Sequence, residues 1–369
     1  MKTKRITIIT LQNVRNYGSV LQAIATQHIF EEMGCEVDFI NYVRRDFSST
    51  KERIRTWCRD MGGVKRFVIG FLLFPTFERQ NKLFSKFLKR NLNVQDKIYC
   101  TEEDFKSFPI KSDIYCTGSD QTWNSNWNHG VLSPLFLSFV PDHVRKISYA
   151  ASIGKTKLDE DELEATRDFL RRYSAISVRE ESAKEIIENQ LGLSSVTHVL
   201  DPTLQVNREF WMKFVGVSKY KEPYVLIYQL NSNSQFDIYA KEYAKRKGCK
   251  LVRFCTRYDQ IFKCGHAELV PKITDFVRLI AYADTVITDS FHATAFSINM
   301  NTNFISIYPS EFEGRLASIL KLVGLESRHL IDYSDFSFVN QTPIDFTHAN
   351  SILDVERENG YNFLRKAIG

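Results

Sequence analysis

One stretch constrains the fold more than any other: Asp284-Thr-Val-Ile-Thr-Asp-Ser-Phe-His-Ala-Thr-Ala-Phe-Ser-Ile-Asn299. Val286-Ile287-Thr288 reads as a short buried strand that turns at once into an apolar helix, Ala293 to Ile298. Asp289 and Ser290 stand where an N-cap belongs, and His292 falls in the first helical turn. A strand end feeding a helix start puts backbone N–H groups and the positive helix pole at one edge of a sheet, where α/β proteins bind anions. A histidine there can contact an anion and also move a proton.

The same alternation recurs along the chain. Ile6–Thr10 is expected as a strand, Gly18–Met33 as a helix ending near Gly34, and Val37–Tyr42 as a strand. Further strands are expected at Asp113–Thr117, Lys146–Ser152, Ala175–Val178 and Val196–Leu200, with helices at Glu160–Tyr173 and Ser182–Gln190. A second series begins after Asp201-Pro202-Thr203, with strands at Tyr224–Gln229, Lys250–Phe254, Val286–Thr288 and Asn303–Ile307. Its helices are expected at Phe236–Lys247, Asp275–Ala283, Thr294–Ile298 and Arg315–Leu322. Short, fully apolar strands of this kind belong to parallel sheets covered on both faces. The expected fold is α/β and GT-B-like, with two Rossmann-like doubly wound domains facing a central cleft. The limits are 1–204 for the N-terminal domain, carrying a basic, aromatic insertion at 51–90, and 205–350 for the C-terminal domain. Residues 351–369 form a final helix that suits either domain.

The 369 residues include 43% apolar and 25% charged residues, enough for packed cores and unlike a disordered chain. The N-terminus runs from Met-Lys-Thr-Lys-Arg straight into a strand, without a secretory pattern. No run nears the roughly 20 apolar residues that span a bilayer. Seven scattered cysteines without a CxxC pair fit a reducing cytoplasm. The net charge of +5 is concentrated: residues 51–90 hold eleven Lys/Arg against three Asp/Glu. Within that segment lies Phe67-Val-Ile-Gly-Phe-Leu-Leu-Phe74, so residues 57–90 suit either peripheral contact with an anionic membrane or a core-packed helix pair with solvated lysines. Nucleic acid is not expected as a partner, since no binding motif accompanies the basic residues.

Four polar turns sit at expected strand ends. Gln12-Asn13-Val-Arg15-Asn16-Tyr17-Gly18-Ser19 has a glycine that permits close backbone approach and a serine able to cap a helix. Gly118-Ser119-Asp120-Gln121-Thr122-Trp123-Asn124 offers a carboxylate beside a tryptophan able to stack on a sugar ring. Val178-Arg179-Glu180-Glu181-Ser182 places an arginine directly after a strand. The fourth is the segment with Ser290 and His292, followed by Glu311, Glu313 and Arg315. Taken singly, each also reads as an ordinary turn, cap or surface ion pair. The absences narrow the chemistry. There is no GxGxxG for a dinucleotide, no GxxxxGK[ST] for a P-loop and no GxSxG elbow. No DxD-type pair is present to hold Mg²⁺ on a nucleotide diphosphate, and Cys255…Cys264-Gly-His266 matches no zinc spacing.

In order, these motifs resemble the polysaccharide pyruvyltransferase family. The matching pieces are Asn16-Tyr-Gly-Ser-Val-Leu-Gln-Ala23, Gly118-Ser-Asp-Gln-Thr-Trp-Asn124, Tyr149-Ala-Ala-Ser-Ile-Gly154, Ser177-Val-Arg-Glu-Glu-Ser182, Leu200-Asp-Pro-Thr203 and Thr288-Asp-Ser-Phe-His-Ala293. The resemblance implies a metal-independent, GT-B-like enzyme that takes phosphoenolpyruvate as a substrate and places a pyruvate ketal on a sugar. No metal and no cofactor are implied. Arg179, Ser290, His292 and Arg315 would bind the donor, and His292, Asp120 and Arg179 would act in catalysis. Asn16, Tyr17, Gly18, Ser19, Asp120, Gln121 and Trp123 would face the acceptor, a lipid-linked glycan bearing a galactose-type sugar. This chain has Ser290-Phe291 before the histidine where many relatives have Arg-Leu or Arg-Phe, which removes one cation from the donor site. The implied setting is the cytoplasm, at the inner face of the cell membrane. Two rival readings stand beside it: a GT-B glycosyltransferase using a nucleotide sugar, and a non-catalytic scaffold of a polysaccharide assembly complex.

Overall fold

The computed structural model describes residues 3–309 and 313–369. Its contacts divide the chain into two units. The first comprises Met1–Ser48, Ser85–Val206 and Asp354–Gly369; the second comprises Ser49–Phe84 and Asn207–Leu353. Each is a Rossmann-like, doubly wound unit.

In the first unit, strands β1 (Arg5–Ile9), β2 (Glu36–Tyr42), β3 (Val94–Tyr99), β4 (Ile114–Thr117) and β5 (Arg145–Ser148) form a parallel sheet in the order β3-β2-β1-β4-β5. A parallel pair, β6 (Ile176–Val178) and β7 (Val196–His198), continues beside β5 through bridges at Ile147–Ala175 and Ala151–Val178. Helix α1 (Tyr17–Glu32) follows β1, and most of its residues are buried on all sides. That accounts for its apolar sequence, since a helix covered all round needs no polar stripe. β3 escaped the sequence expectation because it is an edge strand, half exposed and carrying Gln95, Asp96 and Lys97.

The second unit repeats the winding. β8 (Tyr224–Tyr228), β9 (Lys250–Cys255), β10 (His266–Leu269), β11 (Thr285–Thr288) and β12 (Phe304–Ser306) are all parallel, in the order β10-β9-β8-β11-β12. β8 and β11 are buried at every position. β10, again at an edge and only half-buried, was not expected either. In both sheets the order reverses beside the first strand of the unit, between β1 and β4 and between β8 and β11. Ligands of such sheets bind outside the strand carboxyl ends at that reversal.

The basic segment forms two helices, α2 (Thr50–Trp57) and α3 (Gly63–Asn91). Residues 49–84 group with the second unit rather than forming an insertion of the first. The reason is a set of specific bonds. Gln80 donates to the Thr256 carbonyl at 2.8 Å and Arg79 to the Val270 carbonyl at 3.2 Å, while the Tyr258 N–H donates to Thr76 Oγ1 at 3.1 Å. The final helix, Thr347–Ile368, is stitched along its later part to the first unit. Arg357 Nε donates to the Leu204 carbonyl (2.9 Å), Gln205 Nε2 to the Arg357 carbonyl (2.7 Å), and Arg145 Nη1 to the Ile368 carbonyl (2.9 Å).

Candidate functional site

At the first reversal, the loops after β1 and β4 approach closely. A Cβ on Gly118 would lie 3.1 Å from Thr10 Cβ and 3.2 Å from Ile8 Cγ2, so glycine is what lets the strand ends meet. Thr10 Oγ1 donates to the Ser119 carbonyl at 2.6 Å. Asn16 caps α1, its Oδ1 accepting from the N–H groups of Gly18 (2.9 Å) and Ser19 (3.3 Å). The Ser19 hydroxyl then donates to Asp120 Oδ2. Capping the helix and fixing the carboxylate are thus done by neighbouring residues of one turn.

Asp120 holds a backbone φ of 81°, a left-handed conformation that aspartate tolerates better than most residues. Strain of this kind persists only where the surroundings dictate it. Here they do: Asp120 Oδ1 accepts from the Gln121 N–H (2.9 Å) and lies 3.4 Å from Arg179 Nη2. Arg179 is buried at the end of β6. Its Nη1 donates to Asp201 Oδ2 at 2.7 Å and to Ser119 Oγ at 3.3 Å, and Glu180 lies 3.8 Å from its Nε. Asp201 is held from its other side by the Thr203 N–H (2.9 Å) and hydroxyl (2.6 Å). Glu180 accepts from Ser152 Oγ (2.9 Å) and the Gly154 N–H (2.7 Å). Burial opposes the charge on Arg179, but the fields of Asp201, Asp120 and Glu180 outweigh it and hold its pKa above the ordinary value. In the same loop as Asn16, burial pushes the Arg15 guanidinium down to about 10.

This geometry revises three expectations. Arg179 is the hub of three carboxylates in the first unit, so its charge serves Asp120 and Asp201 and is not presented as a clamp for a donor phosphate. Trp123 is a core residue: its ring stacks on Phe136 at 5.5 Å, meets Tyr173 edge-on, and its indole N–H donates to the Leu135 carbonyl at 3.2 Å. It has no face left for a sugar. Tyr17 is likewise buried, at 1% exposure. Gln121 stays half-buried, its Oε1 accepting from Asn124 Nδ2 at 2.6 Å. Asp201, Ser119 and Glu180 join the cluster without having been singled out. Asp201-Pro202 carried one local signal, an aspartate directly before a proline after a strand, and in the structure Asp201 caps the short helix Pro202–Gln205.

At the second reversal, Thr288 Oγ1 donates to the Tyr228 carbonyl at 2.6 Å and accepts from the Ser290 N–H at 3.1 Å. Of the two capping candidates, Ser290 caps: its Oγ accepts from the Ala293 N–H at the start of helix Phe291–Asn299. Asp289 instead clamps the neighbouring loop, accepting from the N–H groups of Leu230 (2.7 Å) and Asn231 (2.8 Å) and from Asn231 Nδ2 (3.1 Å). Burial pushes its carboxyl above the ordinary range, against the pull of those hydrogen bonds. His292 is the second residue of the helix, 8% exposed, with its ring edge-on to Phe291 at 5.4 Å. Ser290 and His292 therefore share one helix start, where N–H groups and the helix dipole favour an anion. Arg315 is half-buried in helix Glu313–Leu322; Glu311 lies outside the described residues.

Among the described residues, no group of three or more His, Cys, Asp or Glu side chains is arranged to hold a metal ion. Cys264 and Arg253 are in contact, Nη2 to Sγ at 3.2 Å, and Cys255 is buried with its Sγ towards the Arg253 carbonyl.

The chain matches solved structures over nearly its whole length. These include a putative UDP-N-acetylglucosamine 2-epimerase from Listeria monocytogenes (11% identity, 97% of this chain and 91% of that one, TM-score 0.50). Another is the UDP-GlcNAc 2-epimerase of Neisseria meningitidis bound to UDP-GlcNAc (10% identity, 99% of each chain, TM-score 0.51). A third is S. aureus MnaA with UDP (11% identity, 98% and 90%, TM-score 0.51). At such identities the likeness concerns the fold alone, and the fold is GT-B-like. No curated protein matches the chain. Residues 16–311, from the cap of α1 past His292, match the family of polysaccharide pyruvyl transferases. With both strand-end clusters inside the matched region, the chain belongs to the polysaccharide pyruvyl transferase family and is a transferase.

Proposed function

We propose that this enzyme transfers the pyruvyl unit of phosphoenolpyruvate to two hydroxyls of a galactose-type sugar on a lipid-linked surface-polysaccharide intermediate, at the cytoplasmic face of the membrane, without a metal ion. A proton adds to the methylene carbon of phosphoenolpyruvate, one sugar hydroxyl forms a bond to C2, and the C2–O bond to phosphate breaks. The second hydroxyl then closes the ketal. Of the two hydroxyl protons, one ends on the new methyl group and the other on hydrogen phosphate.

The observation that carries this reading is the place of His292: a titratable ring in the first turn of a helix, at the sheet reversal where anions bind. There it would hold the donor phosphate or deliver the proton to carbon, with Ser290 beside it and Arg315 as a cation for the donor carboxylate or phosphate. Asp120 would orient or deprotonate the acceptor hydroxyl. Arg179 is a positioning residue in this scheme, lying against Asp120 in its left-handed conformation, and Asp201 holds Arg179 in place. Asn16, Gly18, Ser19 and Gln121 shape the same loop.

The test is phosphate release from phosphoenolpyruvate in the presence and absence of a lipid-linked glycan acceptor, repeated with a chelator. Acceptor-dependent release unaffected by the chelator is expected. Thermal stabilisation by a nucleotide diphosphate sugar, with none by phosphoenolpyruvate, would overturn the reading in favour of a glycosyltransferase.

A further inference from the structure

Helix α3 has two apolar faces, and only one of them is covered. On the covered side Leu73 and Phe77 pack with Cys58, alongside Ile54, Met61 and Ile69. The other side holds Val64 (83% exposed), Phe67 (77%), Val68 (50%), Phe71 (74%), Leu72 (61%) and Phe74 (47%). At 3.6 residues per turn these six side chains fill one arc of about 160°. They form a continuous stripe, unlike the singly scattered apolar residues of an ordinary surface. Pro75 lies inside the helix directly after the stripe and cannot donate to the Phe71 carbonyl.

The charge around the stripe is mostly positive. Lys65 and Arg66 on α3, and Lys51, Arg55 and Arg59 before it, are all exposed. Residues 51–74 contain six Lys/Arg against two Asp/Glu. Among the described residues no helix is long and apolar enough to cross a membrane, so α3 is suited to lying in an interface rather than spanning one.

We propose that the outward side of α3, Val64 to Phe74, with Lys65, Arg66 and the basic residues of α2, is a docking surface for an anionic lipid bilayer. Phenylalanine, valine and leucine side chains enter the boundary between headgroups and acyl chains, and the cations pair with anionic headgroups. The charge pattern selects this occupant: each basic residue near an anionic surface adds attraction that salt screens. The inference rests on the pyruvyl-transfer reading only for its purpose, which is to bring the enzyme to a lipid-linked acceptor.

The test is flotation of the full-length protein with phosphatidylcholine vesicles, with and without phosphatidylglycerol, in the absence of any donor or acceptor. Binding to the anionic vesicles that weakens with salt is expected. F67D/F71D should lose about tenfold or more of it by removing apolar insertion. K65Q/R66Q, which keeps the stripe, should lose about tenfold through charge alone. All four positions are exposed, so unchanged thermal unfolding separates these effects from misfolding, and turnover on a water-soluble acceptor should not change. Unchanged flotation of either double variant, or no flotation of the wild type, overturns the proposal. So does a lipid-free dimer that F67D/F71D dissolves, which would make a second copy of the chain the occupant. Because no substrate is present, none of these failures bears on the pyruvyl-transfer reading.

Discussion

Both units are wound in the same strand order, yet they fill their reversal points differently. In the first, charge meets charge: Arg179 is surrounded by Asp120, Asp201 and Glu180, and each carboxylate is tied down again by hydroxyls or N–H groups. In the second, the buried carboxylate of Asp289 is met by neutral donors, and the adjoining helix start carries Ser290 and His292. A network of paired ions is costly to open, and under the proposed function it would orient one acceptor hydroxyl. A helix start favours an anion, and under the proposed function it would receive the phosphate of phosphoenolpyruvate.

The sharpest way to break this contrast is Arg179→Ala. Removing its charge takes an ion-pair partner from three buried carboxylates, so stability should fall by about 3–5 kcal/mol in denaturant unfolding. A midpoint within error of wild type would mean that the network carries no weight. His292→Ala should do the reverse, with an unaltered unfolding midpoint and phosphate release slower by about a hundredfold or more. If the loss of activity came with an equal loss of stability, the two sites would not differ in kind.

Smaller effects sharpen the picture. Ser290→Ala should cost about 1 kcal/mol through the lost cap, read from thermal unfolding. Asp120→Ala should be less stable than Asp120→Asn by up to about 1 kcal/mol, because both lose the charge but only asparagine tolerates the 81° φ. The smallest effect is a pH dependence. The folded Asp289 carboxyl sits above its ordinary value of 3.8, so its protonated form favours the folded state. That contribution is full below 3.8 and fades as pH rises through the folded value. The stability advantage of wild type over Asp289→Asn should therefore shrink between acid and neutral pH, and a flat difference would contradict the burial effect.

What was legible in the chain was local. Ser290 and the strand ends announce themselves because a cap and its helix are neighbours in sequence, although at the first turn the cap is Asn16 and not the expected Ser19. So do the central strands, whose apolar runs are unbroken. The edge strands β3 and β10 were missed because an edge is half-solvated and carries Gln95, Asp96, Lys97, His266 and Glu268 where a core strand would carry Val or Ile. The ion network was illegible for another reason: Arg179 meets Asp201 and Asp120 across 22 and 59 residues of chain, and nothing in a short motif encodes that meeting. Trp123 misleads in the same way, since Phe136 and Tyr173, which bury it, come later in the chain. For residues 49–84 the helical pattern and charge were plain, but their attachment through Thr76, Arg79 and Gln80 to the second unit was not.

The first unit is built from three separated stretches, the last of them residues 354–369. During synthesis, its sheet emerges from the ribosome long before the helical stretch that Leu204, Gln205 and Arg145 bind. The second unit, by contrast, has every stretch it needs once residue 353 is out. The later unit can therefore mature first, while the earlier one waits with part of its surface uncovered. Chaperone dependence, and sensitivity to truncation within 354–369, should accordingly fall on the N-terminal half of the molecule.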